Sequence, residues 1–399
     1  MRRELAVTVA AAATFGLLLA SYSAFRPVRD ALILDGDPDQ IPWLFTASFV
    51  AVLAVSPIWG ALVKHRPRRV VPIAFHVFAL CAFAFAAVIR SGIDPTTVGR
   101  VFYVWAAVFN LFVVSVFWSL LADLLGPASA KRLYGPIAAG GTIGTVVGPA
   151  LAKALVSTIG VAGIVALTGV LLELAIIGVM IVRRVGTPDD STEDEPIEGG
   201  AFDGMRHVLA TPYLRTIVGY VLCTSCAATF IYLAQAHIVH DALSDRIART
   251  KYFANVDLVV AGVTFVLQVA VARPLISRLG PGLVLCILPL IQVTGLVILV
   301  GSPSLDALMI VLAIGRGATH GLTRPARELL FTVISRADKY RAKNAIDTVG
   351  YRLGDFGASW LGKGLAAAAN TALVGGVAVL GGIWIVLAVL LGRGFKART

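Results

Sequence analysis

Polar residues along this chain are confined to short intervals between long apolar runs. The runs are continuous rather than alternating, and each is long enough to cross a lipid bilayer as a helix. Twelve can be marked, near 5–34, 42–63, 70–89, 98–125, 133–159, 161–182, 212–239, 252–273, 281–300, 304–332, 343–368 and 371–392. The lack of period-two alternation excludes a membrane β-barrel. The pattern predicts an all-α membrane protein with twelve transmembrane helices in two six-helix halves. Its one substantial polar interval, acidic and rich in Pro and Gly, lies at 186–200. The expected domains are an N-terminal six-helix bundle over 1–186, a cytoplasmic linker with a short surface helix over 187–210, and a C-terminal six-helix bundle over 211–399. The opening Met-Arg-Arg and the small residues up to Ala24 have features of a signal peptide, but the run is longer than such peptides carry and reads as the first span.

Composition agrees: 58% of residues are hydrophobic, 14% are charged, and mean hydropathy is +0.85, values outside those of soluble domains. The formal charge of +11, from 34 basic and 23 acidic residues, would suggest nucleic acid in a soluble protein. Here its distribution accounts for it. Arg2, Arg3, Lys64, Arg66, Arg68, Arg69, Lys131, Arg132, Arg183, Arg184, Arg393 and Lys396 fall in alternate inter-span intervals and at the termini, whereas Asp35, Asp37 and Asp39 mark the first outer loop. The positive-inside rule then places both termini in the cytoplasm, and no nucleic-acid partner is expected. The four cysteines all lie inside spans; Cys223 and Cys226 have CxxC spacing, but in an apolar helix this reads as small-residue packing, so no metal or cofactor is expected. Gly357 to Gly364 imitates a Walker A loop without its final Ser/Thr and within an apolar helix. Neither HExxH nor GxSxG occurs, and no enzyme activity is expected.

Charges inside the spans carry the functional signal. Tyr22, Arg26, Arg29 and Asp30 share one face of the first span, and Arg316, His320, Thr323, Arg324 and Arg327 recur at i, i+4, i+7, i+8 and i+11 in the tenth. The heptapeptide Arg26-Pro-Val-Arg29-Asp30-Ala-Leu32 is matched at every charged position by Arg324-Pro-Ala-Arg327-Glu328-Leu-Leu330. In the eleventh span Asn344, Asp347, Thr348, Tyr351 and Asp355 share a face. One Arg at membrane depth costs about 2.5–3.5 kcal/mol on insertion scales. Asp30, Glu328, Asp347 and Asp355 are the charge-pairing candidates that offset part of it. The surplus is cationic, and guanidinium forks suit phosphate and carboxylate groups. The expected substrate site is therefore Arg26, Arg29, Arg316, His320, Arg324 and Arg327, with Tyr22, Trp118 and Tyr351 as stacking candidates and a small anionic solute as ligand. Gln235, His237, Asn255, Asp257 and Gln268 read as helix-to-helix hydrogen bonds. Gly140, Gly144 and Gly148 form a GxxxGxxxG ladder, which predicts close approach of a neighbouring helix.

Two sets of segments resemble known families. Gly60, Leu62, Arg68 and Arg69, with Lys64 and Pro67 as departures, resemble the cytoplasmic signature GxLxDRxGRR of the major facilitator superfamily, and Leu275-Ile-Ser277-Arg278 is a trace of it in the second half. The stretch from Arg324 to Trp360 and the first-span Phe25-Arg-Pro-Val-Arg-Asp-Ala-Leu-Ile-Leu34 are similar to segments of bacterial and plastid ATP/ADP translocases, joined by Phe117-Trp118 and by Lys131-Arg132-Leu-Tyr134-Gly135. That resemblance implies a major facilitator fold with two halves rocking about a central site. It places Arg29 and Arg327 at the family's transport lysines, and Arg26, Asp30, Glu328 and Asp347 at its flanking charges. It also implies a secondary transporter for a nucleotide or similar phosphorylated anion, with ATP:ADP-type exchange; a monomer is expected. The alternative is a major facilitator transporter, proton-coupled, for an unrelated organic solute or drug.

Overall fold

The computed structural model describes residues 2–398 except 66, 125, 126, 186–205, 207, 336, 337, 340, 341, 344, 345 and 369, and leaves aside some further side chains, including those of 58–65 and 127–131. The acidic interval at 186–200 and the side chains of the 60–69 signature thus lie outside the described residues.

Helices account for almost all of the described chain: α1 (Arg2–Leu32), α2 (Ile41–His65), α3 (Pro67–Arg90), α4 (Pro95–Leu124), α5 (Pro127–Val185), α6 (Pro212–Ala242), α7 (Arg246–Val266), α8 (Ala272–Gly301), α9 (Leu305–Ala318), α10 (Arg324–Leu330), α11 (Tyr351–Ala368) and α12 (Asn370–Lys396). A bilayer offers no partner for backbone amides, so each apolar run closes its own hydrogen bonds as a helix. Elements and spans do not correspond one to one. The described residues hold nine stretches long and apolar enough to cross a membrane, and two of these, Arg132–Arg184 and Arg246–Gly301, hold two crossings each. Their breaks come at Gly160 (φ 69°) and Gly280 (φ 75°), backbone conformations that only glycine enters without strain. With α11 and the turn before it, the total is the twelve crossings that the hydropathy pattern predicts.

The chain divides into two compact units. Unit 1 comprises Met1–Asp37, Val50–Glu195 and Leu243–Leu258; unit 2 comprises Pro38–Phe49, Pro196–Ala242 and Val259–Thr399. Each sequence half therefore lends a short segment to the other half's unit.

In unit 1, α1 packs along α5 and against α4, and α3 covers α5 and α4. The α1–α5 contact is backbone on backbone. A Cβ at Gly140 would lie 2.2 Å from Ala12 O, one at Gly144 2.1 Å from Gly16 O, and one at Gly148 2.5 Å from Ala20 O. The ladder thus meets the small-residue face of α1, where van der Waals contact replaces a hydrophobic drive that lipid does not supply. Gly144→Val is expected to abolish folding or to cost more than the ~1–3 kcal/mol of ordinary overpacking, because a helix carbonyl cannot rotate away. Gel filtration and thermal melting of the purified variant check this, with Ile143→Ala on the exposed side as control. An aromatic cluster of Phe25, Phe102, Trp105 and Phe109 packs within the unit, with centroids 5.3–5.7 Å apart. On α3, Ile73, Val77 and Leu80 are exposed at helical spacing, as a lipid-facing stripe requires.

In unit 2, α8 packs on α12 at Gly282 and Gly392, and α11 packs on α6. Trp384 is fully buried beside Tyr220, whose hydroxyl donates to Leu285 O at 3.0 Å. The segment Pro38–Phe49 joins this unit through Trp43 on Trp360, Phe49 on Phe356, and a 3.0 Å bond from Trp360 Nε1 to Thr46 Oγ1. Among the described residues, three π-turns interrupt the helices here, at Leu267–Val271, Thr319–Thr323 and Ile346–Gly350.

Between α3 and α4, Asp94 caps α4: its carboxylate accepts from Thr97 Oγ1 at 2.6 Å and from the amides of Thr97 and Thr96 at 3.1 and 3.2 Å. The Thr97 hydroxyl, then its amide, hold the Asp94 carboxyl below the ordinary Asp range. A lowered folded pKa contributes stability that is present above the unfolded value and is lost as pH falls through the folded one. Amide exchange at Thr96 and Thr97 is therefore expected to quicken on acidification in the wild type and to be quick at all pH values in Asp94→Ala.

Candidate functional site

In unit 1 the charged end of α1 is closed by carboxylates. Arg26 donates to Asp257 Oδ1 on α7, while its Nε is buried and meets no acceptor. Arg29 donates to Asp30 Oδ1 through Nε at 2.9 Å and through a terminal nitrogen at 2.6 Å, and its guanidinium lies 5.1 Å above the Tyr103 ring. Asp30 is 7% exposed. Tyr22 stands edge-on to Phe25 and stacks on Phe109. Farther out, Asp35 faces Arg246 at 2.8 Å and Arg249 at 3.5 Å, and Arg249 donates to Leu34 O and Leu243 O. The two arginines of the first-span motif thus each face an aspartate.

Unit 2 is different in charge. Arg327 is 9% exposed; one terminal nitrogen donates to the Tyr351 hydroxyl, its guanidinium lies 5.6 Å from the Tyr351 ring centroid, and its Nε is buried without an acceptor. No carboxylate among the described residues lies within ion-pair distance of it. Glu328 is engaged by Lys343, which also lies 5.5 Å from the Phe331 ring centroid. That pair is partly exposed and contributes little to stability.

Asp355 departs from the charge-pairing role expected of it. Its Oδ1 meets Ser225 Oγ and, at 3.3 Å, Thr229 Oγ1, both on α6, and no cation among the described residues is within ion-pair distance. The reason is local: the face of α11 that carries it packs on the hydroxyl face of α6, where Gly354 lets the helices approach so closely that a Cβ there would lie 2.7 Å from Ser225 Cβ. Asp347 lies on the π-turn Ile346–Gly350, and its side chain is outside the described residues.

The cationic stripe of the tenth span is not the single face that an ideal helix gives. The π-turn Thr319–Thr323 sits inside it, and the extra residue rotates the C-terminal part of the stripe by about 100° relative to the N-terminal part. Arg327 and Thr323 are buried, Arg316 is intermediate, and His320 and Arg324 are exposed. The twin motifs also differ. The guanidinium with an unsatisfied Nε is Arg26, the first of its heptapeptide, in unit 1, but Arg327, the fourth, in unit 2. Of the stacking candidates, Tyr22 and Tyr351 accompany the arginines, whereas Trp118 packs with Phe15, Phe117 and Tyr134. A cavity of about 490 Å³ in unit 2, lined by Phe230, Leu233, His237, Leu296, Leu299 and Lys363 among others, includes none of the expected site residues.

Sequence reasoning passed over Ser225 and Thr229, and gave Asp257 no part in the site. Asp257 was detectable as a lone acid in an apolar span, and the expected hydrogen bond between helices is an ion pair. Ser225 was hidden between Cys223 and Cys226, which are free thiols. Among the described residues no group of three or more metal-ligating side chains occurs.

The family model described as Major Facilitator Superfamily matches residues 5–326. A comparison with curated proteins finds no match. Among solved structures, the chain is similar to a POT family transporter, PepTSo (TM-score 0.67, 13% identity, covering 100% of this chain and 99% of that one). It is also similar to the nucleoside transporter NupG (0.62, 14%, 100% and 99%), and to a bacterial homologue of the human lysosomal transporter Spinster (0.62, 15%, 99% and 97%). At such identities the likeness is one of fold.

Proposed function

Because the chain belongs to the major facilitator superfamily, as a multi-pass membrane protein of the secondary-transporter fold, we propose that it moves a nucleotide or similar phosphorylated anion by alternating access, in ATP:ADP-type exchange. The observation that carries this reading is Arg327: a buried guanidinium near the end of a candidate membrane span, facing a neutral phenol and holding an Nε with no acceptor. An uncompensated buried charge is costly, and an anion with several acceptor oxygens offsets that cost by supplying both the charge and the missing hydrogen bond. Tyr351 beside it offers a face for a planar group. Similarity of the Arg26–Leu32 and Arg324–Leu330 segments to the ATP/ADP translocases supports a nucleotide. The protein is placed as a monomer in a bacterial inner membrane, with both termini and the 186–200 interval cytoplasmic. The sequence halves 1–186 and 211–399 are taken as the two six-helix bundles.

A second reading, transport of an unrelated organic solute coupled to protons, is favoured by one observation: in unit 1 Arg26 and Arg29 are matched by Asp257 and Asp30. Counterflow in proteoliposomes loaded with ADP, phosphate or citrate separates the two. Accumulation of labelled ADP against unlabelled internal ADP is the expected result. Uptake of none of the three anions by active protein would remove the anion reading.

A further inference from the structure

Asp355 sits in a hydrogen-bond arrangement that a carboxylate and a carboxylic acid satisfy in two different ways. Ser225 Oγ lies 3.1 Å from Tyr351 O, a carbonyl that can only accept, and also meets Asp355 Oδ1. A hydroxyl has one proton. With that proton given to Tyr351 O, the contact to Asp355 is a hydrogen bond only when Asp355 is the donor, as a neutral carboxylic acid. The second hydroxyl, Thr229 Oγ1 at 3.3 Å, donates to the same Oδ1, which retains a lone pair after protonation. No guanidinium or ammonium among the described residues is within ion-pair distance to hold a carboxylate there. The charged and titratable groups that act on this site are Arg352 on α11 itself and Cys226 across on α6; Tyr351, one turn earlier on α11, is turned to Arg327.

We propose that Asp355 is a proton-binding site whose occupancy is transmitted through Tyr351 to Arg327. Protonated, the carboxyl donates to Ser225, Ser225 donates to Tyr351 O, and α11 is tied to α6 with the Tyr351 hydroxyl under Arg327. On ionisation the Asp355 O–H bond breaks, the electron pair stays on oxygen and the proton leaves to water. The carboxylate is then an acceptor only and takes the protons of both hydroxyls. Ser225 thereby releases Tyr351 O, and the backbone that positions the phenol beside Arg327 loses its anchor. A negative charge also appears one helical turn from the guanidinium's partner, where it competes with a bound anion for positive potential. Binding of a proton and binding of an anion in unit 2 therefore favour each other, which makes the proton a co-substrate. This rests on the transporter reading of the fold and goes beyond the exchange reading of its site.

Infrared spectroscopy of the protein in lipid vesicles, with carboxyl-carbon-labelled aspartate, tests the protonation directly and needs no substrate. At neutral pH the wild type is expected to show an isotope-shifted carbonyl band of a carboxylic acid that is lost in Asp355→Asn and on raising pH. Ser225→Ala, which removes the acceptor of that acid, is expected to shift the same band. It decides the matter should Asp355→Asn not fold. Absence of any acid band that these substitutions remove or move would overturn the proposal. The coupling is tested in proteoliposomes with an acidic exterior, using labelled ADP, phosphate and citrate. The gradient is expected to stimulate wild-type uptake and to leave uptake by Asp355→Asn at the rate that variant shows without a gradient. Equal stimulation of both proteins would overturn the coupling. Should none of these anions be carried, the anion reading fails while the infrared result still decides for or against the proton site.

Discussion

Asp257→Asn is expected to lower the stability of the folded protein by about 3–5 kcal/mol, the usual cost of removing one member of a buried ion pair. The substitution leaves Arg26 facing a neutral amide, with its Nε already lacking an acceptor. Asp257 is 9% exposed and the Arg26 side chain 24%, so little water is at hand to take over. The cost lies in the uncompensated charge rather than in the lost contact. The double substitution Arg26→Leu with Asp257→Leu is therefore expected to recover most of the loss. Thermal melting of the two variants in detergent reads the difference directly. A double variant no more stable than the single one would show that the ion pair is not what holds the N-terminal part of α7 within unit 1.

Arg327→Gln is expected to do the opposite: to leave stability unchanged or raise it, and to remove transport. No aspartate or glutamate among the described residues depends on Arg327 for charge balance. Glutamine retains a donor for the Tyr351 hydroxyl, so the resting protein loses a desolvated charge and little else. The transported anion, by contrast, loses a charge-assisted partner within a buried site, worth about 2–5 kcal/mol. This corresponds to a loss of counterflow of roughly thirtyfold to several thousandfold. Uptake in proteoliposomes, set beside a melting curve, separates the two effects. Wild-type rates combined with a lowered melting temperature would make Arg327 a structural residue and remove the main support for an anion substrate.

The fold was legible because the bilayer imposes a single local solution: every apolar run of sufficient length is a helix. The two places where consecutive crossings merge into one long helical stretch were legible too, as breaks in hydropathy around Gly160 and Gly280. The glycine ladder announced a close neighbour by its spacing but not which one. That α1 fills it depends on Ala12, Gly16 and Ala20, whose smallness is unremarkable among the many alanines of that span. The site was harder to read. Helical-wheel reasoning assumes 3.6 residues per turn throughout, and the π-turn at Thr319–Thr323 breaks that assumption in the middle of the cationic stripe. So His320 and Arg324 are exposed while Arg327 is buried. The partners were the least legible. Asp355 was expected to meet a cation and meets hydroxyls, and Asp257 stands far along the chain from the arginine it neutralises. Residue types alone do not specify such pairings, which depend on which helix faces the topology brings together.

The pairing of Arg26 with Asp257 spans 231 positions of sequence, and this separation has a consequence for synthesis. At elongation rates of ~5–20 residues per second, α1 enters the membrane on the order of 10–50 s before its counter-ion exists. Asp30 is made at once and can neutralise Arg29, but Arg26 has no acid of its own during that interval. Unit 1 also cannot be completed until Leu243–Leu258 has been made, well after its other helices have left the ribosome. The first span must therefore be sheltered, by the insertion machinery or by an interfacial position that leaves Arg26 at the headgroups, until the chain is nearly two-thirds translated. A fragment ending before α7 is a nascent-chain intermediate that still lacks its own counter-ion.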